Sequence, residues 1–323
     1  MRIDSLAIVC SCLLLLAPGS AALAQRPQEP SQAAPPPAAA PQAPQPKVEK
    51  VTVRGAELAY VQAGKGVPVV FVHGSLSDLQ TFRPQFDAFA QQFHVVAYSR
   101  RYHPPNEAPA KDSVYSAALH AEDLAALIDA LGLKPAHVVA SSYGAYTSLL
   151  LAIKHPASVR SLVLGEPPAF PLIWQTDVGK PLFKAFEDGA LTPSRRAFAR
   201  GDLEDGLRQF LDGVTGQKGM FDQIPPAGRA ELLAYGPVMQ RELLTDPAKY
   251  FPAVACDDLK AMSVPTLLVT GEDSARFFHV ITDELARCLP KHERLSIAKA
   301  GHSMHLDDPT TYNEKVRKFL AAH

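Results

Sequence analysis

Residues 138–145 read Val138-Val139-Ala140-Ser141-Ser142-Tyr143-Gly144-Ala145, a β-branched strand run that gives way within two residues to helical sequence. Ser142 stands at that turn with small residues, Ala140 and Gly144, two positions away on each side. A sharp strand-to-helix turn of this kind strains the backbone, pushes the serine oxygen out above a sheet, and needs small flanking residues so that strand and helix can approach. Ser141 is the competing serine, but the small-x-Ser-x-small frame centres on Ser142. The plain alternative is an ordinary turn with a capping serine, and the neighbouring elements weigh against it.

On the amino-terminal side, Val51 to Arg54 and Leu58 to Gln62 are short strand-like runs around Gly55, as in a hairpin at one end of a sheet. Val69-Val70-Phe71-Val72, closed by His73-Gly74, is a continuous apolar run, the pattern of a strand buried on both faces. Phe82, Phe86 and Phe89 recur at helical spacing, and Phe93 to Tyr98 is a further strand. Ser116 caps a predicted helix that runs through Leu131 and stops at Gly132. His137 to Ala140, Gly144 to Lys154 and Val159 to Leu164 then continue as strand, helix and strand. This alternation predicts an α/β protein with a doubly wound, mostly parallel sheet.

From about 167 to 262 the sequence turns to helical periodicity without a convincing buried strand, which predicts an inserted helical cap. Strand character returns at Pro265 to Thr270 and at Leu295 to Ala298, with helices expected at about Val280 to Leu289 and Tyr312 to Ala321. The cap thus interrupts one sheet in a single catalytic-sized domain over 48–323.

The 323 residues are 47% apolar, enough for one large core, and 32 Lys plus Arg nearly balance 33 Asp plus Glu. No global field recruits nucleic acid or an anionic membrane, so a small molecule is the expected partner. The oligomeric state is left open. Met1-Arg2-Ile3, an apolar run from Leu6 to Ala17 and the small residues before Gln25 have the layout of a signal peptide over 1–24. Its apolar part is shorter than a bilayer-spanning helix. The chain is therefore expected to be exported, to the periplasm or the medium, with no stable membrane insertion after cleavage. The Pro/Ala-rich stretch 25–47 reads as a disordered tether. Cleavage after Ala24 would leave two of the four cysteines, Cys256 and Cys288, in a compartment that permits disulfides, and the bridge between them is left open. No cysteine has partners at metal-ligand spacing, so no metal is expected. Gly64-Lys65-Gly66 lacks a phosphate-loop frame, so no nucleotide is expected and no cofactor is called for.

Four motifs in chain order carry a resemblance: His73-Gly74 after the third strand, the turn at Ser142, Gly271-Glu272-Asp273 after a late strand, and Gly301-His302 near the end. Over about 51–323 the chain resembles the α/β-hydrolase superfamily, whose order of serine, acid and histidine it matches. The resemblance implies Ser142 as nucleophile and His302 as its general base, with His305 the nearby competitor. The acid has two candidates. Asp273 follows the strand where the resemblance expects it, one residue earlier than usual, and Glu166 follows the strand Ser161 to Gly165, where some members carry glutamate. Oxyanion donors are implied at the backbone of Tyr143 and of Ser75 or Leu76, with the Ser75 hydroxyl an unproven extra donor and His73 a support for the loop. Ala140 replaces the usual first glycine of the turn.

Arg100-Arg101-Tyr102-His103 reads as a loop braced by ion pairs rather than a binder of acidic substrate. Trp174, Phe183, Phe186 and Phe277-Phe278 are candidates for a pocket or simply for the cap's core. The expected reaction is hydrolysis of a small carboxylic ester or lactone through an acyl-enzyme, because a serine hydroxyl becomes a nucleophile once a neutral imidazole accepts its proton. A carbon-carbon bond hydrolase, a cofactor-free perhydrolase and a non-catalytic ligand-binding member remain as alternatives. Serine at the turn argues against dehalogenases and epoxide hydrolases, which by resemblance carry aspartate there.

Overall fold

The computed structural model describes residues 46–323. The expected signal peptide and nearly all of the expected tether lie outside the described residues. Eight strands form one sheet in the order β1-β2-β4-β3-β5-β6-β7-β8. They are β1 (Glu49–Val53), β2 (Ala56–Ala63), β3 (Pro68–Val72), β4 (His94–Tyr98), β5 (Ala136–Ser141), β6 (Val159–Gly165), β7 (Thr266–Gly271) and β8 (His292–Ile297). The β1-β2 hairpin pairs antiparallel and joins β4 antiparallel, while β4, β3, β5, β6, β7 and β8 run parallel. This is the doubly wound, mostly parallel architecture expected from the alternation.

Both faces of the central strands are buried, and the pleat sorts their side chains. Val70, Val72, Val138 and Ala140 belong to one core, with α2 (Ala117–Ala130) and α3 (Ser142–Lys154) over it. Val69, Phe71 and Val139 belong to the other, under α1 (Arg83–Ala90) and the carboxyl-terminal helix. Phe71 stacks on Phe82 with ring centroids 4.8 Å apart and meets Phe89 edge-on at 5.3 Å. The phenylalanine spacing in the sequence therefore marks the face that docks α1. Ser116 accepts a hydrogen bond from the Leu119 N–H, so α2 starts at its expected cap.

Between β6 and β7 every helix or strand element is helical: α4 (Gly179–Phe186), α5 (Thr192–Ala199), α6 (Leu203–Thr215), α7 (Met220–Gln223), α8 (Pro226–Leu233), α9 (Gly236–Leu243), α10 (Pro247–Tyr250) and α11 (Cys256–Lys260). After β7 come α12 (Arg276–Cys288), β8, α13 (Met304–Asp307) and α14 (Pro309–Ala322). Three element starts come three or more residues before the expectation, at β8, α12 and α14. Strand β8 begins at His292 because it is the sheet's last strand, so its charged residues pair by backbone while their side chains stay in water. Helix α12 begins four residues early because Phe277 and Phe278 are buried inward at its first turn. Cys256 and Cys288 form a disulfide that ties the last cap helix to the end of α12.

Candidate active site

The turn between β5 and α3 has the geometry its sequence implies. Ser141 is extended (φ −126°, ψ 144°), and Ser142 takes φ 53°, a left-handed conformation that a non-glycine residue rarely holds. Such a residue costs about 1–3 kcal/mol, and the packing around it must hold it there. Gly144 supplies part of that packing, since a Cβ on it would lie 2.2 Å from the His73 carbonyl oxygen and 2.5 Å from that of Val72. Only glycine lets α3 cross the end of β3. On the opposite side, a Cβ on Gly74 would meet the Ser142 Cβ at 3.0 Å. The loop after β3 is thus pressed against the serine.

Glu166 follows β6 directly, is wholly buried, and also has a left-handed backbone (φ 46°). Its Oε2 lies 2.6 Å from His302 Nδ1, and its Oε1 accepts a hydrogen bond of 2.9 Å from the Gly271 N–H at the end of β7. A carboxylate only accepts, so Nδ1 carries the proton and Nε2 presents a lone pair. His302 Nε2 is buried and has no partner among the described residues. The Phe278 ring stacks on the imidazole at 4.2 Å, nearly parallel, and limits its rotation. Asp307 braces the loop from below by accepting from the Gly301 N–H at 2.9 Å.

Asp273, placed slightly ahead of Glu166 on chain position, is not the carboxylate at His302. It lies exposed in the turn after β7, with its backbone N–H donating to the Ala300 carbonyl. The chain must leave β7 sharply, because a Cβ on Gly271 would fall 2.2 Å from the Gly301 oxygen. The turn that follows carries Asp273 outward, and the space above β7 holds Glu166. The competitor His305 is buried against Phe82, its ring centroid 4.8 Å away, on the α1 side of the sheet. Burial pushes its pKa down to about 3.

The loop after β3 brings Ser75 beside Ser142, and both line one pocket with Tyr143. The Ser75 hydroxyl is not a free donor, since it gives its hydrogen to Glu242 Oε1 at 2.5 Å. Among the described residues, the backbone N–H groups of Ser75 and Leu76 donate to no protein acceptor. The pocket is otherwise apolar, walled by Phe170, Phe186, Phe210, Phe277, Phe278 and Tyr250, and no charged side chain lines it. Its cavity holds about 20 Å³, room for about one water. Trp174 and Phe183 pair with each other at 5.4 Å and stand outside that lining.

Of the arginine pair, Arg101 is a brace: its Nε and Nη2 reach both oxygens of buried Asp123 at 2.6 and 2.7 Å. Arg100 is wholly buried and bonds the carbonyls of His73 and Gly74. Glu242, on α9, gave no signal in the sequence because it is one acid among many on an amphipathic cap helix, and its burial depends on contacts with distant segments. Among the described residues, no group of three or more His, Cys, Asp or Glu side chains is arranged to hold a metal ion. No helix among them is long and apolar enough to cross a membrane.

A family model described as the alpha/beta hydrolase fold matches residues 67–309. Epoxide hydrolase 3 of Mus musculus is 25% identical over 247 residues, which are 74% of this chain and 66% of that protein, so the chain spans slightly under two thirds of that relative. Carboxylesterase YbfK of Bacillus subtilis is 25% identical over 254 residues, 78% of this chain and 79% of that one. A solved structure described as an N-acyl homoserine lactone degrading enzyme is similar with a TM-score of 0.63 and 26% identity, covering 84% of this chain and all of that one. With a model match over well more than half its length, and with the sheet order that frames the serine turn, the chain belongs to the α/β-hydrolase fold family.

Proposed function

We propose that this hydrolase cleaves a small carboxylic ester or lactone through an acyl-enzyme, with Ser142 as nucleophile, His302 as general base and Glu166 as the carboxylate that holds the imidazole. The observation that carries the reading is the Glu166–His302 pair at 2.6 Å, which favours the tautomer with Nε2 unprotonated, on a ring whose Nε2 has no partner and which stacks on Phe278 of the pocket that Ser142 lines. In the forward step the Ser142 Oγ bonds to the carbonyl carbon while its proton passes to His302 Nε2. The negative charge that forms on the carbonyl oxygen is met by the N–H of Tyr143 and that of Ser75 or Leu76. The tetrahedral species then expels the alcohol, which takes the proton from His302. Water then bonds to the acyl carbon while giving a proton to the same nitrogen, and the second tetrahedral species breaks its bond to the Ser142 Oγ, which takes that proton back as the acid leaves.

The apolar, uncharged lining supports a neutral, hydrophobic acyl group. The names of the carboxylesterase and lactone-degrading relatives support ester or lactone chemistry, whereas the epoxide hydrolase relative belongs to a class expected to carry aspartate where this chain has Ser142. Because the cavity has room for only about one water, the cap's aromatic wall must shift to admit substrate. Export from the cell is part of the same proposal, supported by the amino-terminal pattern and by a disulfide of a kind that persists in oxidising compartments.

The test is labelling of the purified chain with a fluorophosphonate, peptide mapping, and a Ser142→Ala control. A stoichiometric adduct on Ser142 is expected, followed by turnover of short- and medium-chain p-nitrophenyl esters or of a γ-lactone. A well-folded chain that takes up no label and turns over neither would sink the reading in favour of a binding role. Hydrogen peroxide offered in place of water as acceptor, and a β-diketone substrate, separate the perhydrolase and carbon-carbon hydrolase alternatives in the same panel.

A further inference from the structure

Behind the loop that faces Ser142 lies a buried polar chain that the hydrolytic scheme does not use. Glu242, on cap helix α9, is wholly buried and accepts three hydroxyl donors: Ser75 at 2.5 Å, Tyr115 at 2.5 Å and Tyr250 at 3.0 Å. A group that accepts three O–H bonds is satisfied as the carboxylate. Burial and the neighbouring Glu242 charge push the Tyr115 and Tyr250 hydroxyls well above their ordinary range, which keeps them protonated as donors. Tyr115 in turn accepts from Arg100 Nη1 at 3.2 Å, so the cation and the anion are linked through one hydroxyl.

Arg100 then reaches the loop itself. Its Nη2 donates to the Gly74 carbonyl at 2.8 Å and its Nε to the His73 carbonyl at 3.0 Å. The Arg100 backbone N–H donates to His73 Nε2 at 2.8 Å, so the His73 proton sits on Nδ1 and points at the same Gly74 oxygen, 2.8 Å away. The Gly74–Ser75 peptide is trans, so its N–H is directed opposite to its C=O. Two donors, one of them cationic, therefore hold and polarise a peptide whose N–H belongs to Ser75, and donors in series strengthen one another. The Ser75 side chain is held from the other end by Glu242.

We propose that Glu242 is a positioning residue supplied by the cap: through Ser75 directly, and through Tyr115 and Arg100, it sets the Gly74–Ser75 peptide in the orientation that aims its N–H at the oxyanion. The inference rests on the ester-hydrolase reading and narrows its donor pair to Tyr143 and Ser75. It also couples the cap to the chemistry, since a cap displaced from the sheet withdraws Glu242 and slackens the loop. Donors act only when placed for the oxyanion, and losing one costs about a hundredfold or more in kcat. A peptide that remains but turns loosely should cost less.

The experiment compares full-length wild type with Glu242→Gln and Tyr115→Phe, using p-nitrophenyl butyrate for kcat and KM and a fluorophosphonate for the rate of Ser142 labelling. Glutamine keeps the shape but turns an NH2 toward a hydroxyl donor. Glu242→Gln is expected to lower kcat about 10- to 100-fold with KM within about threefold. Labelling should slow in proportion, because the phosphoryl oxygen occupies the oxyanion position. Tyr115→Phe, which breaks only the Arg100 branch, should show a smaller fall of the same kind, and it decides the matter if Glu242→Gln fails to fold. Variants with native near-ultraviolet circular dichroism that keep wild-type kcat and labelling, or that raise KM alone, overturn the inference. If wild type itself is neither labelled nor active, the ester-hydrolase reading fails first and this inference falls with it.

Discussion

Glu166 and Asp273 follow neighbouring strands, β6 and β7, and only Glu166 reaches the His302 ring. If that contact sets the tautomer and stabilises the imidazolium, Glu166→Gln keeps the shape but lets the amide favour the wrong proton position. It should lower kcat about a thousandfold or more. Asp273→Ala should stay within about threefold of wild type in the same p-nitrophenyl ester assay, and the reverse ranking would return the role to Asp273. Gly144 is a second position where one atom matters. The 2.2 Å approach of its added Cβ to the His73 oxygen leaves no room for alanine. Gly144→Ala should lose about 3 kcal/mol by urea unfolding, at the upper end of overpacking costs, and an unchanged midpoint would show that β3 and α3 are not so close. The placement of Ser142 at a strained turn and of His302 on the loop after the last strand was readable because each follows from a local frame. The choice between the acids was not, because chain position put Asp273 slightly ahead, and only the spacing of β6, β7 and the Gly301 loop brings Glu166 to the ring.

At the scale of elements, the disulfide is the clearest lever. Cys256 opens α11 at the base of the cap and Cys288 closes α12, whose first turn carries Phe277 and Phe278, two of the phenylalanines of the pocket wall. Closing a loop across a separation of 32 residues is worth about 3–4 kcal/mol on the chain-entropy model. Reduction or a Cys256→Ser/Cys288→Ser pair should lower stability by that order in a denaturant titration, and equal midpoints with and without reductant would remove the bridge from the account. The strands and flanking helices were legible from periodicity, since a strand buried on both faces must be apolar throughout and a helix docked on one face repeats its phenylalanines. Where β8 departs from the expectation, the cause is its edge position: His292, Glu293 and Arg294 carry no apolar signal because their side chains never enter the core. The cap was legible only as a region, and nothing local says that Glu242 of α9 turns inward while Glu231 of α8 does not reach the same hydroxyls.

For the whole molecule, buried neutral histidines set an acid limit. His73, His103, His120, His137 and His305 all lie buried, and loss of hydration pushes each pKa down, with the Arg100 charge adding to the effect at the first three. Below the ordinary histidine pKa of about 6.5 the unfolded chain takes up these protons and the native one does not, so stability is full above that pH and falls as pH drops. Each group contributes about 1.4 kcal/mol per pH unit. Asp78, whose carboxyl is pushed up by burial, works in the opposite sense, but it is one group against five. Five histidines acting together against a typical stability of about 5–15 kcal/mol place acid unfolding at about pH 5. Circular dichroism followed down to pH 3.5 checks this, and a native spectrum there would mean that the cluster admits protons without opening. By itself, the sequence determined the alternating sheet, the strained serine turn and the histidine loop, because each depends on residues close together in the chain. The tertiary structure alone decided which carboxylate meets His302, that the Ser75 hydroxyl belongs to Glu242, and that Arg100 is interior, because each depends on burial and on partners 26 to 167 residues apart, which no local pattern encodes.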